Sequence, residues 1–397
     1  MIDIRNKKDC SGCKACMQIC PRHCISFKED REGFVYPTIN HLQCIDCHLC
    51  EKVCPFHSVG QASVPVKVYA AYNRNIEDRA KSSSGGMFIL MAKNVIENGG
   101  VVFGAVFDES WMVKHTYSET IEGVYAMLQS KYAQSDIGNS FIEVKRFLTE
   151  GRQVLFCGTP CQVAGLNHFL RKDYPNLITV DFLCHGVPSP GVWRKYVEKE
   201  IIPLAPCARA GKNSVLNLSI NAVSVITDIE FRDKSYRGWK KYSFVVRQKS
   251  ASKADKNTVL LSDSHYDNPY MRGFLSDVFL RPSCYDCKCK NGRSGSDITI
   301  GDFWCADKVD KNIDDDKGLS LILINNSDKV LLDESKCYYK EFLYESIRHL
   351  NGGFVEKHKK KLIRRLSFYF LYRFLNMSNS LRFSLFITNM IYKILNK

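Results

Sequence analysis

Apolar and polar residues follow two alternating rhythms along most of this chain. Val66–Asn73 is an apolar run of strand length, and Met87–Asn98 carries apolar residues at helical spacing, closed by Gly99-Gly100. Val101–Phe107 reads as a second strand, Ile137–Glu150 as a helix stopped by Gly151, and Val154–Cys157 as a strand. A helix over Cys161–Arg171 and a strand over Leu177–Cys184 continue the series. Such alternation predicts an α/β domain built on a mixed or mostly parallel sheet. Past Ile202 the rhythm breaks. Leu204–Ser214 is rich in small and turn residues and predicts a loop, while Val215–Gln248 shows β-branched alternation and predicts strands. Strand signals return at Asp297–Asp302 and Leu319–Asn325.

Residues 1–57 and 357–397 stand outside this pattern. The first form a compact module of their own, followed by a linker over Ser58–Pro65. The expected division is then 1–57, 66–203, 204–350 and a tail over 357–397. In the tail, Leu366–Leu375 is aromatic and apolar behind the basic run Lys357–Arg365, and Leu381–Leu395 is apolar with few charges. Neither stretch reaches the roughly 20 apolar residues that span a bilayer. Two readings stay open: an interfacial helix on an anionic membrane, or a helical pair packed on the protein itself.

Composition narrows the classes. A length of 397 residues allows two or three domains, and 45% hydrophobic residues is ordinary for a packed globular protein. The net charge of +14 is uneven: Lys357–Lys397 holds ten Lys and Arg and no Asp or Glu, which leaves 14 − 10 = +4 for the rest. The basicity belongs to the tail, and no nucleic-acid partner is expected. Eighteen Cys would suit a secreted disulfide scaffold only in a much shorter chain. The first residues contain no apolar signal-peptide core, so the thiols are expected reduced, in the cytoplasm. Peripheral contact at the inner face of the membrane would come from the tail.

The cysteines carry the chemistry. Cys10-x2-Cys13-x2-Cys16-x3-Cys20-Pro21 and Cys44-x2-Cys47-x2-Cys50-x3-Cys54-Pro55 share one spacing. It is the ligand run of a two-cluster bacterial ferredoxin, in which the fourth Cys of each run serves the other cluster. Three thiolates two residues apart wrap one face of a cubane, the loop amides point at its sulfurs, and the Pro turns the chain away. Cys10, Cys13, Cys16 and Cys54 are therefore assigned to one [4Fe–4S] cluster, and Cys44, Cys47, Cys50 and Cys20 to the second. The alternatives, zinc knuckles or a disulfide knot, use C-x2-C pairs rather than triplets with a trailing C-P.

Further cysteines fall after predicted strands. Cys161 lies in Gly158-Thr-Pro-Cys-Gln162, Cys184 in Phe182-Leu-Cys-His-Gly186, and Cys284-x2-Cys287 precedes Gly301-Asp-Phe-Trp304. Strand carboxyl ends are where ligands collect in open α/β sheets. Four thiolates there would hold a third [4Fe–4S] cluster; alternatively Cys161 and Cys184 are buried structural residues.

These landmarks, with Ser82-Ser-Ser-Gly-Gly86, Gln129-Ser-Lys-Tyr132, Phe231-Arg-Asp-Lys234 and Gly238-Trp239, resemble the beta-subunit family of coenzyme F-420-reducing hydrogenases and dehydrogenases up to about Asn325. The resemblance implies FAD beside a cluster held by Cys161, Cys184, Cys284 and Cys287. Cys24, Cys157, Cys207, Cys289, Cys305 and Cys337 match no ligand position. The basic tail lies outside the family landmarks, and no residue specific for the deazaflavin coenzyme is placed.

Ser84, Gly85 and Gly86 precede an apolar helix and would cradle a flavin phosphate, or merely cap the helix. Lys131 would approach the flavin, or be a solvated surface lysine. His185 would bond a cluster sulfur or carry a proton, or be a satisfied structural histidine. The expected fold is thus a ferredoxin-like two-cluster module, a mixed-sheet α/β flavin and iron–sulfur domain, and a short basic helical tail. The expected activity passes electrons between an unidentified organic substrate at FAD and a one-electron carrier, such as ferredoxin or a partner redox subunit. The rivals are an electron-transfer subunit without its own substrate and a membrane-surface accessory in polysaccharide or lipid assembly.

Overall fold

The computed structural model describes residues 1–205, 225–249, 257–329, 332–350 and 362–395. Most of the expected loop at 204–214, with Cys207, and the run Lys357–Lys361 lie outside the described residues.

The doubled cysteine run folds the same way twice. Two short helices, α1 (Ala15–Gln18) and α2 (Leu49–Lys52), each start after a left-handed residue, Lys14 at φ 60° and His48 at φ 59°. Gly12 and Asp46, two residues earlier, are also left-handed. Successive turns of this kind point backbone amides inward, toward the thiols. Between the runs, β1 (Ile25–Glu29) and β2 (Val35–Ile39) pair antiparallel.

The α/β unit begins with β3 (Lys67–Asn73), α3 (Ile76–Lys81), α4 (Met87–Glu97), β4 (Val101–Phe107), β5 (Val113–Ser118) and α5 (Ile121–Tyr125). It continues through α6 (Ser140–Thr149), β6 (Val154–Cys157), α7 (Pro160–Leu170), β7 (Leu177–Phe182) and α8 (Pro190–Tyr196). Then come β8 (Ile226–Asp233), β9 (Ser243–Gln248), β10 (Thr258–Ser264), α9 (Pro269–Leu275), β11 (Ile298–Asp302), β12 (Ser320–Ile324), β13 (Cys337–Glu341) and α10 (Tyr344–Ile347).

Eight strands form one mixed sheet in the order β13-β3-β12-β11-β7-β6-β4-β5, with four successive strands, β11-β7-β6-β4, parallel. β3 pairs antiparallel with β12 and β13. This sheet therefore draws strands from both sides of the expected break at residue 204. A separate antiparallel sheet, β10-β9-β8, comes from the stretch where β-branched alternation replaced the helical rhythm. Its inner residues Phe231, Phe244 and Val246 join Trp193, Tyr270 and Phe279 in a single buried cluster.

The tail forms a helical hairpin, α11 (Leu362–Leu371) and α12 (Met377–Leu395). Phe368, Tyr372, Met377 and Leu381 enter that same buried cluster. Arg365, buried, clamps Glu32 of the cysteine-rich module through two nitrogens, Nε at 2.9 Å and Nη2 at 2.5 Å, and donates to the Leu280 carbonyl at 2.6 Å. The packed-pair reading of the tail is thus realised on one face of the hairpin.

Candidate functional site

The parallel strands bring their carboxyl ends to one edge. Cys157 ends β6, Cys161 opens α7 just beyond it, Cys184 follows β7, and Asp302 ends β11. Thr159 and Gln162 form a capping box that starts α7, and Thr159 Oγ1 lies 3.2 Å from Cys161 Sγ. Burial, then the neighbouring Cys287, Cys284 and Cys184, push the Cys161 thiol well up. Burial likewise pushes Cys184 up to about 12 and Cys284 up to about 11, with Cys287 adding to both. The Val187 amide donates to Cys284 Sγ at 3.4 Å. The structure thus brings together the four cysteines that the sequence placed near the carboxyl ends of the strands.

The first cysteine set is gathered in the same way. Burial, then Cys54 and, more weakly, Cys10, push Cys13 up to about 12, and Cys16 rises through burial and then Cys13, Cys10 and Cys54. Burial pushes Cys54 up as well, and buried thiols held close together are a donor set suited to a cationic iron–sulfur core, which supplies the compensating charge. The second set, Cys20, Cys44, Cys47 and Cys50, lines one pocket. Backbone amides of Ile2 and Asp46 donate to Cys50 and Cys44 Sγ at 3.3 and 3.4 Å, and Cys47 is exposed. Among the described residues, no three His, Cys, Asp or Glu side chains converge closely enough for a single metal ion.

Several neighbours escaped the sequence reading. Cys24 Sγ sits 3.4 Å from Cys20 Sγ and lines the second pocket. Cys289, buried, hydrogen-bonds Cys287, and this bond holds Cys287 down to about 6; Cys289 also feels Cys161 and Cys13. Arg281 has no exposed surface. Its Nε donates to the Cys10 carbonyl at 2.7 Å, Nη1 to Gln134 Oε1 at 3.0 Å, and Nη2 to the Val35 carbonyl at 2.9 Å and Cys10 Sγ at 3.6 Å. Among the described residues it makes no ion pair with a carboxylate. Lys290, also buried, reaches the His185 carbonyl at 3.4 Å and pulls down the Cys184 thiol. The one signal that could have found both cations is their position flanking Cys284-x2-Cys287.

The module and the sheet meet at α7. A Cβ built on Gly165 would stand 3.0 Å from Cys13 Sγ. Gly165 lies one helical turn past Cys161, so glycine here lets the first thiol set approach the third.

The residues expected to hold a flavin are placed differently from one another. Ser84 Oγ donates to the Leu319 carbonyl at 2.9 Å, and the Gly85 amide donates to Ser320 Oγ at 3.0 Å. A Cβ on Gly85 would meet the Ala71 carbonyl at 2.5 Å, so its smallness serves packing against the sheet. These two groups do not fit a phosphate cradle. Gly86, at φ 81°, precedes α4, whose N-terminus no side chain caps. Lys131 is not a solvated surface residue: Nζ donates to the Leu128 and Gln129 carbonyls at 2.7 and 3.2 Å, and burial pushes its ammonium down to about 7. His185 pairs with Asp277 at 2.8 Å, which matches the structural reading. The landmarks around Phe231 and Gly301 are one knot. Arg232 bonds Asp302, Trp239 Nε1 donates to Asp302 at 3.2 Å, and Trp239 stacks on Trp304 at 4.6 Å.

Residues 151–333 match the family model for the C terminus of the coenzyme F420 hydrogenase/dehydrogenase beta subunit, and residues 9–58 match the 4Fe-4S dicluster domain. No curated protein matches the chain. Among solved structures, a chain from the xenon-derivatised F420-reducing [NiFe] hydrogenase complex of Methanosarcina barkeri is 16% identical, with a TM-score of 0.44. That alignment covers 70% of this chain and 83% of the other. The chain joins a 4Fe-4S dicluster domain to the C-terminal domain of the coenzyme F420 hydrogenase/dehydrogenase beta subunit, and is an iron–sulfur electron-transfer protein related to that subunit.

Proposed function

We propose that this protein is a cytoplasmic oxidoreductase that moves electrons between an organic substrate or coenzyme and an external one-electron carrier, a ferredoxin or a partner redox subunit. The observation that carries the reading is the contact of Cys13 with Gly165, four residues past Cys161. An α-helix rises about 1.5 Å per residue, so roughly 6 Å of helix separates the two points. With Cys161, Cys184, Cys284 and Cys287 as one cluster site, the first set as the next, and the second set opening on solvent at Cys47, three one-electron stations stand in series.

FAD is the expected two-electron group. Its support is the family relationship, the uncapped N-terminus of α4 behind Gly86, and Lys131 held inside the fold. When bound, a flavin exchanges electrons in pairs with an organic molecule and singly with clusters. A second reading, a relay subunit with no substrate of its own, is favoured by Ser84 and Gly85 being already engaged.

Anaerobic reconstitution tests both. Three cubanes require about twelve iron and twelve sulfide, and Cys161→Ser or Cys284→Ser should remove about four iron while leaving the other two clusters. Wild-type protein with eight iron, and mutants that lose none, would remove the third cluster. Quenching of FAD fluorescence on titration supports the flavin enzyme; fully metallated protein that leaves FAD free supports the relay subunit.

A further inference from the structure

The tail hairpin is built inside out for a helix pair in water. α12 buries its small hydroxyl residues: Ser380 and Ser384 have no exposed surface, and Thr388 is nearly covered. Their hydroxyls return to the helix's own backbone, Ser380 Oγ to the Asn376 carbonyl at 2.7 Å and Thr388 Oγ1 to the Ser384 carbonyl at 2.7 Å. Met377 and Leu381 enter the core beside them, but most of the large apolar side chains of α12 point elsewhere. Phe383, Phe386, Met390 and Ile394 are exposed, and at 3.6 residues per turn they share a sector roughly 80° wide. Phe370 on α11 and Phe374 in the turn that follows it add to the exposed apolar surface, Phe374 at 75% and Phe386 at 64% exposure. A soluble helix normally buries its apolar stripe and leaves hydroxyls outside. Exposed apolar surface this extensive marks a contact with something else.

Charge selects the occupant. Arg373, Arg382 and Lys393 are exposed on the hairpin, and Arg382 and Lys393 fall beside the apolar sector of α12. No Asp or Glu occurs between Lys357 and Lys397. No helix among the described residues is long and apolar enough to cross a membrane. An apolar stripe whose bordering charges are all cations matches the headgroup and acyl boundary of an anionic bilayer, where the rings insert and the cations meet phosphate.

We infer that the exposed face of the hairpin, formed by Phe374 in its turn and Phe383 and Phe386 on α12, is a peripheral docking surface for anionic lipid. The opposite face of the hairpin holds the core, and through Arg365 and Glu32 it also holds the cysteine-rich module, so docking sets the redox module at a fixed height above the bilayer. This inference is independent of which substrate the electron-transfer reading assigns.

The full chain, metallated and anaerobic, is sedimented with vesicles of phosphatidylcholine alone or with 30% phosphatidylglycerol. Binding to the anionic vesicles only, weakened by salt, is expected. Phe374→Asp combined with Phe386→Asp should lower the partition about tenfold with unchanged iron content, since both side chains are exposed. Arg382→Gln with Lys393→Gln should remove some of the salt-sensitive share. Protein that stays in the supernatant at low salt overturns the inference. So does a dimer, by sedimentation velocity, that the Phe374→Asp/Phe386→Asp variant dissolves into monomers, because a second copy would then be the occupant.

Discussion

If Cys10, Cys13, Cys16 and Cys54 hold a cluster as proposed, replacing Arg281 by Gln should lower that cluster's reduction potential and leave the others alone. The guanidinium is fully buried, faces Cys10 Sγ at 3.6 Å, and has no carboxylate to neutralise it among the described residues. A [4Fe–4S] core with four thiolates gains one negative charge on reduction, so a fixed cation beside a ligand sulfur favours the reduced form. A hydrogen bond to a charged group contributes about 1.5–3 kcal/mol, and only the share that grows with the added charge counts. Taking that share as about 1.4 kcal/mol gives a tenfold shift in the one-electron equilibrium, or about 59 mV. The assay is a dithionite titration of the anaerobic protein, followed by EPR, which separates the cluster signals. Arg281→Lys keeps the charge but loses the fork that holds the Cys10 and Val35 carbonyls, so it should fall between wild type and Gln. If Arg281→Gln retains about twelve iron and no midpoint moves by more than roughly 15 mV, about a quarter of that tenfold step, Arg281 is structural and the electrostatic reasoning is wrong.

Three further outcomes follow from the same coordinates. Cys289→Ala should keep the full iron complement, since Cys289 acts as a donor to Cys287; loss of about four iron would make it a ligand instead. Glu32→Ala strands the buried Arg365 cation, and breaking such a pair costs about 3–5 kcal/mol, read as an earlier anaerobic urea midpoint; a loss under roughly 0.5 kcal/mol would dismiss the clamp. The ammonium of Lys131 is pushed down to about 7 from 10.5 by burial, so between those values the unfolded chain binds the extra proton and stability rises with pH. Lys131→Met should flatten that rise between pH 7 and 10, and an unchanged slope would place the Lys131 amine in solvent.

The features legible in the sequence were those written in local periodicity. β4 and β6 occupy the expected residues, Val101–Phe107 and Val154–Cys157, because each is a short apolar run between clear stops. The two cysteine runs announced a 4Fe-4S dicluster domain by their spacing, and residues 9–58 match its family model. What the sequence hid depended on long-range meetings. β5, with Lys114, Thr116 and Ser118 among its six residues, reads as polar and finds its place only by pairing with β4. β13 joins the sheet beyond β3, which no local pattern can announce. Gly85 looked like a phosphate-binding glycine because the loop precedes a helix, whereas its neighbour is the Ala71 carbonyl of β3. Arg281 was invisible because a charge inside a protein is expected only beside a partner, and its partner is a thiol.

The pairing of β3 with β12 and β13 also imposes an order of synthesis. Ala71 must wait for Ser320, and Asn73 for Cys337, before its edge is filled. At about 5–20 residues per second, the ribosome takes on the order of ten to fifty seconds to supply them. During that interval the cysteine-rich module, complete by residue 57, can fold and take up its first two clusters. The third site needs Cys284 and Cys287 and therefore closes late, on a sheet that is still open at β3. With the third site loaded as proposed, iron delivery is staged by translation: two clusters while the sheet is still open, and the last only after Cys287 has been made.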